Sequence, residues 1–194
     1  MNDNPAPEPP QDTWASGSAY ELYVGRWSRL VARKFLQWLA VPAGSHWLDA
    51  GCGTGVLSQA ILQFAAPRSV KGIDRSGGYI AHAREQVQDQ RINFEVGDAQ
   101  ALPVETDRYD AVVSGLVLNF LPQPDRALSE MTRVVKQGGV VAAYVWITPA
   151  RCSLCAISGM RLSPWTPTLL TWMKDGVSRY ASLRRWPGSS SGWV

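Results

Sequence analysis

The sequence predicts an α/β protein with a doubly wound, mainly parallel sheet. Strand-like and helix-like segments alternate between residues 46 and 146, and short turns separate them. An amphipathic helix precedes this region, because apolar residues between positions 20 and 39 recur at steps of three and four. Such alternation places helices on both faces of a parallel sheet, and ligands then bind at the carboxyl ends of the strands.

The predicted elements follow from apolar runs and from residues typical of turns. Gly138 and Gly139 are expected to close the last helix, where a left-handed residue often ends a helix. In chain order, we expect a helix over 20–39, a strand over 46–50, a helix over 55–65, a strand over 69–74, a helix over 78–88, strands over 92–96 and 109–115, a helix over 124–135 and a strand over 140–146.

Composition excludes several classes of protein. The chain has 194 residues, of which 45% are hydrophobic, and its three cysteines are too few for a disulfide framework. The longest apolar run covers residues 140–147, far short of the ~20 residues that a membrane helix needs. The first 16 residues are polar and rich in proline, so we expect a disordered arm without a secretion signal and a soluble, cytoplasmic protein.

The net charge of +3 is unevenly distributed. Residues 1–146 hold 13 Lys and Arg against 15 Asp and Glu, whereas residues 147–194 hold six Lys and Arg against the single Asp175. The main part of the chain is therefore mildly acidic, at −2, and the last part carries +5. Because the basic residues of the last part are scattered, the charge does not predict a nucleic-acid partner.

A glycine loop follows the first predicted strand. Gly51, Gly53 and Gly55 occupy alternate positions, where the absence of a Cβ lets the backbone turn sharply and approach a ligand. The dinucleotide-binding loop has the different spacing G-x-G-x-x-G. Asp49 places a carboxylate next to this loop, which would repel a pyrophosphate and suits a positively charged ligand. The loop therefore favours S-adenosylmethionine (SAM) over NAD.

Two further acidic residues lie at the ends of the next two strands. Asp74 comes 23 residues after Gly51, where a carboxylate can accept hydrogen bonds from ribose hydroxyls. Asp98 follows the third strand and can accept a hydrogen bond from the amino group of adenine. One acid at a strand end is usually a cap or a solvated turn, but three at successive strand ends beside a glycine loop indicate a ligand site.

With these motifs in order, the sequence resembles the class I SAM-dependent methyltransferases, in the small-molecule branch near the ubiquinone and menaquinone C-methyltransferases. The resemblance covers residues 19–146 and is carried by LDAGCGTG, GIDRS, GDAQALP, the stretch YDAVVSGLVLNFLPQPDRALSEMTRVVKQGG and the strand VVAAYVW. It implies a Rossmann-like, SAM-binding core over residues 17–146, acting on a small-molecule methyl acceptor.

The resemblance also implies a role for individual residues. The glycine loop would hold the methionine part of SAM, the second acid the ribose, the third acid the adenine, and the helix at 20–39 would serve as a lid. The implied cofactor-binding residues are Tyr23, Arg26, Asp49, Ala50, Gly51, Cys52, Gly53, Gly55, Asp74, Arg75, Asp98, Ala99 and Leu116.

The sequence shows no convincing general base, nucleophile or metal site. His46 and His82 lie away from the predicted strand ends, so we interpret both as structural. Cys52 lies inside the glycine loop and is not expected to be a nucleophile. Cys152 and Cys155 lack a second pair of ligands that would complete a zinc site. Methyl transfer would therefore depend on alignment and proximity.

The alternating pattern stops after Trp146. Residues 147–194 show no sustained strand or helix period, and we interpret them as a non-homologous tail read in a shifted frame. Back-translation with the frame moved by one base permits DYAGEMQLMRYFWDAAVALDP, which resembles what relatives carry after this strand. The Trp165–Thr166 pair, for example, must then yield Asp. We therefore expect the later strands of the sheet to be missing, an exposed sheet edge and impaired transferase activity.

Two alternatives from other classes stay open at this point. An NAD-dependent oxidoreductase shares the sheet and the acid at position 74, but does not explain Asp49 or Asp98. A non-catalytic binding protein could instead use the basic tail to bind nucleic acid or an anionic membrane, and its binding would depend strongly on salt.

Overall fold

The computed structural model describes residues 26–145, with the backbone alone at 26 and 27, and the backbone of residues 168–173. Within these ranges one six-stranded sheet has the strand order β3-β2-β1-β4-β5-β6, with β1 to β5 parallel and β6 antiparallel. The doubly wound α/β prediction is confirmed. The elements are α1 (Arg26–Leu39), β1 (His46–Ala50), α2 (Val56–Phe64), β2 (Ser69–Asp74), α3 (Gly77–Gln86), β3 (Ile92–Val96), β4 (Tyr109–Gly115), a 3-10 turn (Leu118–Phe120), α4 (Pro124–Val134), β5 (Val135–Val145) and β6 (Thr168–Met173).

The central strands are covered on both faces, as their near-continuous apolar sequences require. Leu48 and Val112 belong to the apolar cluster on one face, which also includes residues of α4. Trp47 and Val113 belong to the cluster on the other face, together with residues of α1 and α2. Because successive side chains of a strand point to opposite faces, β1 and β4 contribute to both clusters.

Helix α1 covers the sheet beside β5. Its buried positions Ala32, Phe35 and Leu36 belong to the same apolar cluster as Trp47. The ring of Phe35 meets the ring of Tyr144 edge to face, with centroids 5.1 Å apart. This contact fixes α1 next to the carboxyl end of β5, which is the edge of the sheet where ligands bind in such folds.

At the amino-terminal edge of the sheet, the carboxylate of Asp110 links β4 to β1 and β5. Asp110 at the start of β4 accepts hydrogen bonds of 2.7 Å from the backbone N–H of His46 and from Nζ of Lys136. Burial raises the pKa of Asp110, but these two hydrogen bonds outweigh it and hold the pKa below its usual value. Nδ1 of His46 lies 2.7 Å from the hydroxyl of Ser69. His46 therefore lies at the edge opposite the strand ends that carry the acids.

The expectation that Gly138 and Gly139 end the last helix was wrong. Helix α4 ends at Val134, and Val135 already pairs with Tyr109 as part of β5. The pairing then shifts, so that Ala111 pairs with Val140, and the glycines lie in this irregular stretch of the strand. Gly138 does have the left-handed φ of 75° that the sequence suggested, but it serves a bulge rather than a helix cap.

The expectations for the tail need correction in one respect. Strand β6 lies within residues 147–194, where no strand was expected, and it pairs antiparallel with β5 from Val140↔Met173 to Val145↔Thr168. The edge of β5 is therefore paired instead of exposed, and one strand follows the fifth. The predicted arm over residues 1–16, the helix start at 20–25 and the Cys152/Cys155 pair lie outside the described residues.

Candidate functional site at the carboxyl edge of the sheet

A cleft of about 310 Å³ lies where β1, β2 and β4 end. Its lining residues come from α1, the carboxyl-terminal parts of β1, β2, β4 and β5, the glycine loop, the first turns of α2 and α3, and the segments that follow β2, β3 and β4. They are Ser28, Asp49, Gly51, Cys52, Gly53, Thr54, Val56, Leu57, Asp74, Arg75, Ser76, Tyr79, Asp98, Ala99, Gly115, Leu116, Val117, Phe120, Leu121 and Tyr144. A larger depression of about 1020 Å³ surrounds the amino-terminal ends of β2 and β3. It contains none of the three strand-end acids, so the smaller cleft is the site of interest.

The glycine loop has the backbone that its sequence suggested. Gly51, Gly53 and Gly55 have φ values of 78°, 53° and 89°, in the left-handed region that other residues rarely adopt. A Cβ on Gly51 would come within 2.5 Å of the side chain of Val117. A Cβ on Gly53 would meet no atom within 4 Å, so the loop is open to the cleft at that position.

Several amides of this loop are already used within the protein. The N–H groups of Gly51 and Cys52 donate to the carbonyl of Ile73 over 2.7 and 3.0 Å, and the N–H of Gly55 donates to the carbonyl of Cys52 over 2.9 Å. Dinucleotide-binding loops direct such groups at a pyrophosphate. Because these three donors point into the protein instead, the loop is poorly suited to an anion.

Asp74 stabilises the loop from the end of β2. One carboxylate oxygen accepts a hydrogen bond of 2.9 Å from the N–H of Gly53, and the other accepts one of 2.9 Å from the N–H of Ser76. A carboxylate can accept about four hydrogen bonds. The buried Asp74 side chain can therefore hold the loop and still accept hydrogen bonds from ligand hydroxyls.

Asp49 is the most unusual polar group of the cleft. Its side chain is fully buried, and Oδ2 accepts a hydrogen bond of 2.7 Å from the hydroxyl of Ser58. The other oxygen, Oδ1, is buried and has no hydrogen-bond partner within the part of the chain that the structure describes. The pKa of Asp49 is raised to about 7, mainly by burial; the hydrogen bond from Ser58 opposes this shift, and the nearby negative charge of Asp74 adds to it. A buried acceptor of this kind needs a hydrogen-bond donor, and a cationic group of a ligand would supply one.

Asp98 lies in a turn beyond the end of β3. Its carboxylate accepts a 2.8 Å hydrogen bond from the N–H of Gln100, and the side chain is exposed on one side of the cleft. The next residue, Ala99, is only 7% exposed and belongs to the apolar cluster around α4. The turn thus presents a carboxylate next to a small apolar surface, which is what a planar base with an amino group requires.

Helix α4 holds the chain that follows this turn. Glu130 accepts a 2.8 Å hydrogen bond from the N–H of Leu102. Arg133 donates to the carbonyl of Leu102 over 3.0 Å and to the carbonyl of Val104 over 2.9 Å, and it also pairs with Glu130 at 2.7 Å. Through these contacts, helix α4 holds the segment that directly follows the Asp98 turn.

The ends of β4 and β5 form the other wall of the cleft. Leu116 is buried with a φ of 63°, an unfavourable value for a residue other than glycine, and its N–H donates to the carbonyl of Tyr144 over 2.8 Å. A Cβ on Gly115 would come within 2.5 Å of the Tyr144 hydroxyl, so glycine leaves room for this side chain. Phe120, in the 3-10 turn, is 75% exposed at the mouth of the cleft.

The structure brings most of the candidate residues of the sequence together. Gly55 is the N-cap of α2 instead of a lining residue, and the side chain of Ala50 packs in the apolar core with Leu48. Tyr23 lies outside the described residues, and only the backbone of Arg26, the first residue of α1, is described. The candidates that line the cleft are Asp49, Gly51, Cys52, Gly53, Asp74, Arg75, Asp98, Ala99 and Leu116.

The cleft contains no activated thiol. The Cys52 side chain is buried, and burial raises the pKa of its thiol well above the usual value, with the nearby Asp49 and Asp74 adding to the shift. A neutral thiol is a poor nucleophile. Across residues 26–145, no three His, Cys, Asp or Glu side chains are grouped so that they could hold a metal ion.

The sequence interpretation missed several lining residues. Gly115 and Tyr144 end adjacent strands, Phe120 follows β4, and Ser28 lies in α1. The rule that ligands bind at the carboxyl ends of strands could have identified Gly115 and Tyr144. No sequence signal distinguishes Ser28, because a serine in the first turn of an amphipathic helix is common.

Comparison with known proteins identifies the family. Residues 48–143 match the family described as "Methyltransferase domain". Residues 48–143 therefore form a domain of the class I SAM-dependent methyltransferases. This methyltransferase domain is 30% identical over 132 residues to a ubiquinone biosynthesis O-methyltransferase of Coxiella burnetii, which covers 66% of the chain and 54% of that relative. It is 29% identical over 163 residues to a demethylmenaquinone methyltransferase of Clavibacter sepedonicus, with 80% of the chain and 66% of that relative covered.

Solved structures agree on the fold. A chain from the complex between the Haloferax volcanii Trm112 methyltransferase activator and a methyltransferase has a TM-score of 0.64 at 26% identity, with 72% of this chain and 62% of that one covered. The [4+2]-cyclase SpnF has a TM-score of 0.56 at 29% identity, with 60% and 44% covered. The methyltransferase thus spans little more than half the length of the first curated relatives it matches, and its fold also occurs in a cyclase.

Proposed function

We propose that this protein transfers a methyl group from SAM to a small, largely apolar acceptor of the quinol type. The observation that carries the proposal is Asp49 Oδ1, a buried carboxylate oxygen without a partner that lines the cleft beside the glycine loop. The ammonium group of the methionine part of SAM would satisfy this oxygen. The quinol acceptor is supported by the names of the relatives, which are a ubiquinone biosynthesis O-methyltransferase, a demethylmenaquinone methyltransferase and a 2-methyl-6-phytyl-1,4-hydroquinone methyltransferase.

The rest of the cleft fits the other parts of SAM. Asp74 would accept hydrogen bonds from the ribose hydroxyls, because it lines the cleft at the end of β2 and a carboxylate can accept about four hydrogen bonds. Asp98 would accept from the adenine amino group, and Ala99 would contact the face of the base. Gly53 leaves open space for close approach of the ligand to the loop.

The protein's contribution to the reaction is alignment and exclusion of water. SAM, when bound, supplies a methyl group already activated by a sulfonium, so no residue has to generate a reactive group. Leu116, whose N–H donates to the carbonyl of Tyr144, lines the cleft and would help to position SAM there. Holding the two reactants in line can supply most of the rate enhancement.

The acceptor would bind against the wall formed by the β4 and β5 ends. Val117, Phe120 and Leu121 present apolar surface there, and the Tyr144 side chain adds a hydroxyl. Phe120 is one of the few large apolar side chains exposed within residues 28–145, and exposed apolar surface at a cleft mouth typically marks a binding site. An apolar ring that carries an oxygen matches this combination.

The two alternatives from the sequence have no support. The spacing of the glycine loop and the internal use of its amides disfavour a dinucleotide. No comparison favours a binding protein with a basic tail, and the basic residues of that tail lie outside the described residues. Helices of the described residues are too short or too polar to cross a membrane. A cytoplasmic location remains a prediction from the sequence.

The tail remains a separate proposal. The family match ends at residue 143, and we infer that residues 147–194 come from a shifted reading frame. Strand β6 is compatible with this origin, because pairing with a sheet edge requires backbone hydrogen bonds more than a particular sequence. Sequencing the gene around the codons for Trp146 and Ile147 tests it, and the absence of an overlapping family-like frame refutes it.

Calorimetric titration with S-adenosylhomocysteine tests cofactor binding directly. We expect saturable binding with one site, and a loss of at least about tenfold in affinity for Asp49→Asn, because a charge-assisted hydrogen bond is lost. Transfer of labelled methyl from SAM to a short-chain quinol then tests the reaction. Well-folded protein that shows no S-adenosylhomocysteine binding would contradict the proposal, whereas binding without transfer to any quinol would restrict it to cofactor binding.

A further inference from the structure

Among the described residues, two buried side-chain polar atoms that line the cleft have no hydrogen-bond partner. One is Oδ1 of Asp49, already described, and the other is the hydroxyl oxygen of Ser28. Ser28 is only 5% exposed and lines the same cleft as Asp49. Because buried polar groups are nearly always hydrogen-bonded, two such atoms in one cleft indicate that a ligand supplies the missing partners.

The position of Ser28 in α1 explains why its hydroxyl is buried. Ala32 and Phe35 follow at steps of four and seven residues, so all three lie on one face of the helix, and both apolar residues are fully buried. This face packs against the sheet, with Phe35 in contact with Tyr144. An apolar residue would suit the position if packing were its only role.

The two atoms differ in what they can bind. An ionised Asp49 can only accept hydrogen bonds, whereas the serine hydroxyl can also donate one. Together they match a zwitterion, with the ammonium at the carboxylate and the carboxylate at the hydroxyl. The methionine part of SAM is an α-amino acid of this kind.

The carboxylate of such a ligand needs a donor that the glycine loop does not readily supply. The N–H groups of Gly51, Cys52 and Gly55 donate to carbonyls of the protein, and that of Gly53 donates to Asp74. The hydroxyl of Ser28 has no hydrogen-bond partner among the described residues. It is therefore a buried donor in the cleft that the described contacts leave available for a carboxylate.

We propose that Ser28 binds the carboxylate of the amino-acid part of SAM, opposite the Asp49 contact to its ammonium. The inference rests on the proposed function, because it assigns a further residue to the same cofactor site. It also gives α1 a role in recognising the cofactor in addition to covering the sheet.

Three adenosine ligands separate the contributions of the two residues. S-adenosylhomocysteine has both the ammonium and the carboxylate, S-adenosyl-3-thiopropylamine lacks the carboxylate, and 5′-methylthioadenosine lacks both. Titration of the full chain and of Ser28→Ala with each ligand measures whether the hydroxyl recognises the carboxylate. Asp49→Asn is the matched variant for the ammonium.

We expect Ser28→Ala to weaken S-adenosylhomocysteine binding about tenfold, the usual effect of losing a hydrogen bond to a charged group. Its affinities for S-adenosyl-3-thiopropylamine and 5′-methylthioadenosine should stay within about twofold of wild type. Asp49→Asn should weaken the two ligands that carry an amine and leave 5′-methylthioadenosine unaffected. Unchanged binding of the last ligand also shows that each variant keeps a folded adenosine site.

Two results would overturn the inference. If Ser28→Ala binds S-adenosylhomocysteine as tightly as wild type, the hydroxyl does not contact the carboxylate. If the variant loses the same affinity for all three ligands, Ser28 acts only through packing of α1. A wild-type protein that binds none of the three ligands would instead refute the proposed function, and the inference with it.

Discussion

Asp49→Asn should remove a pH dependence of stability that the wild-type protein carries. Burial raises the pKa of the Asp49 carboxyl from 3.8 to about 7 in the folded protein. Between these two values, the folded protein keeps a proton on Asp49 that the unfolded chain releases. The free energy of unfolding therefore falls as the pH rises through this window, because the folded state binds more protons.

The size of the effect follows from the shift in pKa. One pKa unit corresponds to about 1.4 kcal/mol, and the shift spans about three units. The contribution of Asp49 to stability should thus decrease by on the order of 4 kcal/mol between pH 4 and pH 8. A change of this size is a large fraction of the 5–15 kcal/mol that is roughly typical for a folded domain.

Urea unfolding of the wild type and of Asp49→Asn at intervals from pH 4 to pH 8 measures this effect. Other acids with shifted pKa values, such as Asp89 and Asp110, are present in both proteins and cancel in the difference. The free energy of unfolding of the wild type, relative to that of the variant, should fall steadily up to about pH 7 and then stay constant. A difference that stays constant with pH would refute the claim that Asp49 is protonated in the folded protein.

Cofactor binding should show the opposite dependence on pH. The ammonium of S-adenosylhomocysteine pairs with the ionised form of Asp49, which becomes the major form only above a pH of about 7. The affinity of the wild type should rise by about tenfold between pH 6 and pH 8, following the ionised fraction. The affinity of Asp49→Asn should be nearly independent of pH across the same range.

Two further predictions concern the glycine loop and helix α4. Gly51→Ala should abolish S-adenosylhomocysteine binding and should destabilise the fold by more than Gly44→Ala. Both glycines have a φ of 78°, but only a Cβ at Gly51 would collide with Val117. Equal losses of unfolding free energy in the two variants would contradict this prediction. Arg133→Met should lower the affinity for S-adenosylhomocysteine and the unfolding free energy by about 1–3 kcal/mol, since two carbonyls of the segment after Asp98 lose a charged donor. Arg126→Met on the same helix is the control, and equal effects of the two variants would contradict that role.

Much of the fold was predictable because its signals are local. The bounds of β1, β2, β3 and β4 match the prediction, since each is a short run of mainly apolar residues between turn-forming residues. The left-handed backbone of the glycine loop follows from the chemistry of glycine itself. The sequence pattern likewise placed the three acids at strand ends, because the alternation of elements dictates which residues share that edge.

Other features depend on contacts between distant segments. Gly138 was correctly expected in a left-handed conformation but in the wrong element, because only pairing with β4 shows that its segment is a strand. Strand β6 was missed because its sequence has no clear alternation, and its existence rests on backbone pairing with β5. Such pairing depends on the partner strand and leaves little trace in the paired sequence.

The sequence by itself determined the fold class, the family and the positions of the three acids along the chain. The tertiary structure decided the burial of those acids and their hydrogen-bond partners. Asp74 accepts a hydrogen bond from the loop, and Asp49 is buried with one oxygen that has no partner among the described residues. Ser28 of α1, which lines the same cleft, has a hydroxyl in the same condition. Burial and hydrogen-bond partners are set by residues brought together from distant parts of the chain, and these determine which polar groups are left for a ligand to bind.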